Sequence, residues 1–307
     1  MIIKFFLLIQ IIFIILYFFH FIYKHFIIKE VDLFKRYGKD SWVLITGCSS
    51  GQGKLLAIEF AKRKFNIILI GRKRIIDTAN IIKKYKVKTK CFIVDFSKAY
   101  KESFFNPIDN FVKKINLSIL INNVGQRTAW NPYDRMPSQL INDTIICGSI
   151  VQARLTQIAL QCFKNRTSKS AIINITAQCM YQNFWFGKTG EISVPYLSVY
   201  EAANAFGYYH SQSIQKEYPH IDILNITPGA VVTENTKFLE NTPFSIDSQT
   251  FVNNIIKLLG NYNGSNCAYW GHDISNILSN FMFTYKDSIL KKVGLTISKS
   301  FMDNYKN

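Results

Sequence analysis

The fold of this 307-residue chain is decided by the stretch SWVLITGCSSGQGK, residues 41–54. Its apolar run, residues 42–46, is too short and too β-branched for a helix, whereas apolar residues recur at helical spacing over residues 55–65. The stretch therefore predicts a strand that turns onto a helix. Gly47, Gly51 and Gly53 fall in the turn, where glycine lets backbone N–H groups approach a phosphate. An ordinary loop between a strand and a helix remains the alternative.

Beyond this stretch, strand-length apolar runs alternate with helical patterns as far as Trp270. Such alternation predicts a parallel sheet with helices on both faces, and a ligand at the carboxyl ends of the strands. The fold class is therefore α/β, a doubly wound parallel sheet. Roughly 270 residues after the apolar N-terminus suit one domain, which we assign to residues 41–271. Seven strands are expected, at residues 42–46, 66–70, 90–94, 118–121, 170–175, 221–226 and 267–270.

The N-terminal residues 1–28 are almost continuously apolar and long enough to cross a bilayer as one helix. Because no small-residue cleavage site follows, an uncleaved anchor is favoured over a signal peptide, with a buried hydrophobic hairpin as the alternative. Four basic residues follow the span, whereas only Lys4 and the terminal amine precede it. The positive-inside rule then predicts a single-pass protein whose domain faces the cytoplasm, connected through a basic juxtamembrane segment, residues 29–40.

The composition is strongly basic, with 37 Lys and Arg against 20 Asp and Glu and a net charge of +17. An anionic contact is expected, and a membrane surface or a phosphorylated cofactor would supply it. Nucleic acid is not expected, because the lysines are scattered and no nucleic-acid motif is present. The six cysteines form no CxxC pair and have no histidine at ligand spacing, so we expect reduced thiols and no metal site.

Two later strand ends indicate which dinucleotide would bind. Arg72 and its basic neighbours follow the second strand, with no acidic residue in residues 71–74. Arginine there accommodates the 2′-phosphate, so NADP(H) is preferred over NAD(H), unless the basic helix start is merely solvated. Asp95 follows the third strand, where it accepts a hydrogen bond from the adenine amino group or caps the next helix.

These motifs together resemble the short-chain dehydrogenase/reductase family: TGxxxGxG at residues 46–53, Asp95, NNVG at residues 122–125, Tyr200, and Pro228-Gly229 with Thr233. The phrases VDFSK, LTQIAL, SAIINIT and VPYLSVY are most similar to its membrane-bound 17β-hydroxysteroid dehydrogenase and very-long-chain 3-oxoacyl-CoA reductase branch. The resemblance implies a Rossmann-type fold and nicotinamide-dependent ketone–alcohol oxidoreductase chemistry. It also implies a hydrophobic acyl or steroid-like ligand, an endoplasmic reticulum membrane, lipid metabolism with fatty-acid elongation proteins as partners, and a homodimer.

The resemblance also implies which residues contact the cofactor. Gln52 departs from the family pattern, because a small apolar residue is usual at that place. The expected cofactor-binding residues are Gly47, Ser49, Ser50, Gly51, Gln52, Gly53, Arg72, Asp95, Asn123, Gly125, Tyr200, Pro228, Gly229 and Thr233.

The catalytic positions depart further from the family. Tyr200 is the candidate acid, but a free tyrosine has a pKa near 10, and the family lowers it with a lysine four residues later. Here that position is Asn204, the expected serine is Ala177, and the expected helix asparagine is Gly148, although the nearby Asn142 leaves the last assignment open. Two hypotheses follow: a reductase that uses Tyr200, and a pseudoenzyme that binds nucleotide or lipid in a regulatory or scaffolding role.

Two further segments have open interpretations. Residues 179–192 read as an insertion beside the site, which either returns Lys188 toward Tyr200 or forms an aromatic flap over a lipid-like ligand. Residues 272–307 form a C-terminal helical tail with apolar residues at helical spacing, which either packs on the domain or lies on a bilayer interface.

Overall fold

The architecture is a seven-stranded, all-parallel sheet in the order β3-β2-β1-β4-β5-β6-β9. The computed structural model describes residues 2–125, 131–178, 196–233, 236 and 242–285. β2 and β4 are buried along their whole length, as expected of strands covered on both faces. The strands of this sheet are β1 Trp42–Thr46, β2 Asn66–Gly71, β3 Thr89–Ile93, β4 Leu117–Asn122, β5 Ala171–Ile175, β6 Asp222–Ile226 and β9 Gly264–Asn266.

Two apolar layers cover the sheet, one on each face. One face packs against α3, α4, α9 and the short α2, and the other against α5 and α7. The predicted fold class, a doubly wound parallel sheet flanked by helices, is therefore confirmed. The helices are α1 Ile2–Ile22, α2 Leu33–Tyr37, α3 Gly51–Lys62, α4 Ile75–Ile82, α5 Asn106–Val112, α6 Ser138–Ile145, α7 Val151–Phe163, α8 Ser198–Glu217, α9 Ser248–Leu258 and α10 Trp270–Tyr285.

The seventh strand of the main sheet differs from its prediction. It spans Gly264–Asn266 and pairs with β6, whereas residues 267–269 of the expected strand form the turn into α10, which begins at Trp270. Ala268 has a φ of +57°, a left-handed conformation that no continuing strand adopts. The sequence also gave no indication of the small parallel pair formed by β7 Ala230–Val232 and β8 Ser245–Asp247.

The N-terminal helix α1 continues as a π-helix over Tyr23–Ile27. Within this continuous helix, the segment Leu8–Ile27 has the length and the apolar composition needed to cross a membrane. Its most apolar part is not buried inside the structure. The predicted N-terminal apolar helix is therefore present.

The basic segment, residues 29–40, packs on the domain. Leu33 and Tyr37, one helical turn apart on α2, are both buried, and Asp32 caps the helix by accepting from the Lys35 amide. The Arg36 guanidinium donates to both carboxylate oxygens of Asp222, at 2.8 and 3.1 Å. This segment therefore packs against the sheet domain through buried side chains and an ion pair.

Removal of one hydroxyl tests this integration. The Tyr37 hydroxyl donates a 2.8 Å hydrogen bond to the buried Asp222 carboxylate. Tyr37→Phe should lower the free energy of unfolding by about 1.5 kcal/mol, the usual value of a hydrogen bond to a charged group. Urea unfolding of the full chain in detergent measures it. Lys113→Gln, which breaks an exposed ion pair on α5, is the control and should cost less than about 0.5 kcal/mol. Equal effects would contradict the integration.

Candidate active site

The carboxyl ends of β1 and β4 are joined by two polar side chains. The buried Thr46 hydroxyl accepts from the amides of Asn123 and Val124, at 2.9 and 3.0 Å, and donates to the Ile121 carbonyl. The Asn123 amide group donates to the carbonyls of Thr46 and Gly47, at 3.0 and 3.2 Å. Because β1 and β4 flank the point where the strand order reverses, these bonds hold the crevice in which doubly wound folds bind ligands.

The glycine turn, residues 47–53, leads from β1 into α3. Gly47 and Gly51 have φ values of +66° and +55°, which favour glycine. A methyl group on Gly53 would lie 2.5 Å from both the Gly47 carbonyl oxygen and the Asn123 amide nitrogen, so the backbone approaches closely there. The first N–H groups of α3 have no partner within the helix, which makes this end suited to a phosphate.

The other residues of the glycine turn are partly accessible, apart from one thiol. Ser49, Ser50 and Gln52 are half-buried, and Ser50 is the extended residue that precedes α3. Cys48 is fully buried, and this burial raises the pKa of its thiol to about 12. The thiol is therefore protonated at neutral pH.

The end of β2 borders the same turn. A methyl group on the buried Gly71 would lie 3.3 Å from the Ser49 hydroxyl, so these two positions are neighbours. Arg72, which follows Gly71, is exposed, as are Lys73 and Arg74. A positively charged corner therefore lies next to the turn that would hold a diphosphate.

Two further expected positions lie at the ends of β3 and β4. Asp95 is exposed and accepts from the backbone amide and hydroxyl of Ser97, at 3.2 and 3.0 Å, so it caps the 3₁₀ turn Phe96–Lys98. Capping was the second of the two roles considered for it. A methyl group on Gly125 would meet no atom within 4 Å, so this position is open among the residues that the structure describes.

The loop after β6, residues 227–233, faces the glycine turn. A methyl group on Gly51 would contact the Thr233 methyl at 3.7 Å. Pro228 accepts from the Gln178 amide at 2.8 Å, and Gly229 lies against the side chains of Gln178 and His272. The residues present therefore fit a dinucleotide: a glycine cradle on one side, an open strand end at Gly125, and a fixed loop opposite.

The catalytic positions are differently arranged. Tyr200 is half-buried in the first turn of α8, and the Asn204 amide group donates to the Tyr200 backbone carbonyl at 2.8 Å. Gly148 lies in the π-helix Ile146–Ile150, where its methyl group would be 2.9 Å from the Ala203 methyl. Position 148 is thus a close contact between two helices. Asn142, the other candidate for the helix asparagine, lies earlier, in α6.

Residues 176 and 177, which follow β5 and are described by the structure, offer one hydroxyl, and it is already bonded. Ala177 is buried, and the neighbouring Thr176 hydroxyl donates to the Ile226 carbonyl at 3.1 Å and to the Asn225 side chain. The proposed insertion, residues 179–192 with Lys188, lies outside the described residues. Sequence reasoning did not assign the roles of Thr46, Gln178 and His272. Of these three residues, only Thr46 could have been identified from the sequence, because it directly precedes the first glycine of the turn.

Comparisons with known proteins agree with this geometry. The sequence model of the family described as short chain dehydrogenase matches residues 41–243. The very-long-chain 3-oxoacyl-CoA reductase of Homo sapiens is 28% identical over 280 residues, which cover 87% of this chain and 83% of that protein. The inactive hydroxysteroid dehydrogenase-like protein 1 of Homo sapiens is 29% identical over 281 residues, covering 86% and 79%. The branch indicated by the sequence phrases is therefore confirmed.

Solved structures share the fold at lower identity. A short-chain dehydrogenase from Sphingobium yanoikuyae in complex with NADPH has a TM-score of 0.61 and 21% identity, covering 74% of this chain and 86% of that one. A 7β-hydroxysteroid dehydrogenase structure has a TM-score of 0.68 and 17% identity, covering 90% and 100%. These likenesses show the fold.

Substitutions at two glycines of the site test its backbone geometry, because one glycine is closely packed and the other is open. Gly53→Ala should lower the free energy of unfolding by about 1–3 kcal/mol, because the methyl group meets backbone atoms that cannot move away. Gly125→Ala should change it by less than about 0.5 kcal/mol, because that position is open. Urea unfolding of both variants measures the difference. Equal destabilisation would contradict the geometry of the glycine turn.

Proposed function

We propose, from the premise that the chain belongs to the short-chain dehydrogenase family, that it is a membrane-anchored, NADP(H)-dependent oxidoreductase. Its substrate would be the ketone or alcohol of a hydrophobic 3-oxoacyl-CoA or steroid-like molecule. The observation that carries the proposal is the approach of Thr233 to Gly51, which places the loop after β6 opposite the phosphate-binding turn. In the family, the glycine turn binds the diphosphate of the dinucleotide, and the loop after β6 lies against its nicotinamide.

Substrate and location rest on the relatives and on the N-terminal helix. Relatives named very-long-chain 3-oxoacyl-CoA reductase support a long acyl substrate and fatty-acid elongation proteins as partners. The apolar helix Leu8–Ile27 supports a single-pass anchor, with the domain facing the cytoplasm at the endoplasmic reticulum. A homodimer is part of the same proposal. We propose that the cofactor contacts the residues assigned to it in the sequence analysis. Among them, Asn123 shapes the crevice through its bonds to the glycine turn.

In the proposed reduction, the protein itself must supply one proton to the substrate. A bound NADPH would supply the hydride, and the Tyr200 phenol would donate the proton to the carbonyl oxygen of the substrate. The neutral Asn204 amide donates to a backbone carbonyl and brings no positive charge to this phenol. Each pKa unit of lost activation costs about 1.4 kcal/mol, and a lost oxyanion donor costs about 100-fold or more in rate. We therefore propose a slow reductase.

A second candidate function is binding of the dinucleotide, with or without a lipid, in the absence of turnover. It is favoured by the Asn204 bond within its own helix and by the Gly148–Ala203 contact, which leaves no room for an asparagine side chain. A relative named inactive hydroxysteroid dehydrogenase-like protein 1 supports the same reading. Both candidates require dinucleotide binding, and they differ only in turnover.

Turnover by the full chain in detergent distinguishes the two candidates. We expect slow NADPH oxidation with 3-oxoacyl-CoA esters or oxosteroids, abolished by Tyr200→Phe and retained by Tyr209→Phe, an exposed tyrosine of the same helix. An inactive parent that binds NADPH, and gains activity on Ala177→Ser with Asn204→Lys, would instead support the second candidate. Absence of NADPH binding would contradict both. Gly148 stays unchanged in these variants because of its contact with Ala203.

Cofactor preference depends on the exposed basic corner after β2. Arg72→Ala should weaken NADPH binding about tenfold and leave NADH binding within about twofold, because only NADPH carries the 2′-phosphate that a guanidinium binds. Tryptophan fluorescence titration measures both dissociation constants. Lys83→Ala removes the same charge from an exposed position beyond α4 and is the matched control. Equal weakening of both dinucleotides by Arg72→Ala would refute the assignment.

A further inference from the structure

The first turn of α10 contacts the loop after β6 through His272. This side chain is fully buried, and its Nε2 donates to the Ala230 carbonyl at 3.1 Å. A methyl group on Gly229 would lie 2.8 Å from the His272 ring, so ring and loop backbone are in close contact. Burial lowers the pKa of His272, which keeps the imidazole neutral. The position of this helix therefore determines where residues 229 and 230 can lie.

Gln178 fixes the same turn of α10 from the side of β5. Its side-chain nitrogen donates to the His272 carbonyl at 2.7 Å and to the Ser275 hydroxyl at 3.0 Å. Its backbone amide donates to the Pro228 carbonyl at 2.8 Å. The loop at residues 228–230 is thus bonded both to α10 and to the residue that holds α10 in place.

Asp273, the next residue of α10, contacts the N-terminal anchor instead. One of its carboxylate oxygens accepts from the His25 ring nitrogen at 2.7 Å and from the Lys24 ammonium group. The three side chains are at most 9% exposed. Burial opposes the charge of Asp273, but the bonds from His25 and Lys24 outweigh it and lower the pKa of the carboxyl to about 2. We call Lys24, His25 and Asp273 the Asp273 cluster.

Adjacent residues of a helix point about 100° apart, so one turn of α10 can contact the anchor and the loop at once. We propose that Lys24 and His25 are positioning residues for the dinucleotide. Through Asp273 they fix α10, and through His272 and Gln178 this helix holds residues 228–230 in the conformation that receives the nicotinamide half. The inference rests on the dinucleotide binding proposed above, and it makes the membrane anchor a part of the cofactor site.

The alternative is that the Asp273 cluster only attaches the anchor to the domain. If the cluster only attaches the anchor, its loss would lower the stability of the protein and would change the affinities for both halves of the dinucleotide equally. A positioning role affects the nicotinamide half, because the adenosine half binds at the glycine turn and the end of β2. The comparison of NADPH with adenosine 2′,5′-bisphosphate, which lacks the nicotinamide half, therefore separates the two roles.

The experiment uses the full chain in detergent micelles and titrates both ligands by calorimetry. Asp273→Asn should weaken NADPH binding about fivefold to tenfold, typical of coupling between sites, and leave adenosine 2′,5′-bisphosphate binding within about twofold. Glu30→Gln is the matched control: it breaks the exposed ion pair between the anchor segment and Arg63 and does not touch α10. It should leave both affinities within about twofold. The double variant Lys24→Gln with His25→Gln should behave as Asp273→Asn does, and it replaces that variant if Asp273→Asn does not fold.

Reciprocity supplies a second readout. If the cluster and the loop are coupled, NADPH binding should slow amide hydrogen exchange in residues 23–28 of the wild type, and adenosine 2′,5′-bisphosphate should not. Equal weakening of both ligands by the cluster variants, or no weakening of either, would overturn the inference and leave the proposed function standing. A wild type that binds neither NADPH nor NADH would overturn the proposed function, and this inference with it.

Discussion

The whole site depends on the pair of strand ends that Thr46 and Asn123 hold together. One hydroxyl and one side-chain amide satisfy the backbone groups that β1 and β4 leave unpaired where they diverge. Without these bonds, buried amides and carbonyls would lose their partners, at a cost of about 1–3 kcal/mol each. The close approach at Gly53 exists because Asn123 occupies the space behind the turn. The crevice is therefore built before any ligand enters it.

The two halves of the site have diverged from the family to different extents. The dinucleotide side retains its glycine turn, its polar strand ends and a fixed opposing loop. At the proposed catalytic positions, the residues present have structural roles: Asn204 bonds to its own helix, and Gly148 allows α8 to approach the π-helix. Side chains with such roles resist simple replacement, because each substitution must also preserve a packing contact.

Local patterns in the sequence predicted what depends on local physics. Apolar strand-length runs and the spaced glycines predicted the parallel sheet and the strand-to-helix turn, and strand ends predicted the edge where polar residues gather. The last strand was misplaced because Gly264–Asn266 has no β-branched residue, and its pairing with β6 alone makes it a strand. The roles of Tyr37, His272 and Gln178 could not be predicted, since each depends on a partner brought close only by the complete fold.

The contacts of the N-terminal segment also constrain the order of events during synthesis. The partner of Arg36 and Tyr37 is Asp222, which is synthesised about 185 residues later. The partner of Lys24 and His25 is Asp273, which is synthesised about 250 residues later. This N-terminal segment is thus synthesised long before its partners are available. Closure of the domain against residues 24–37 must follow synthesis of residues 222–273, so these contacts form late in folding.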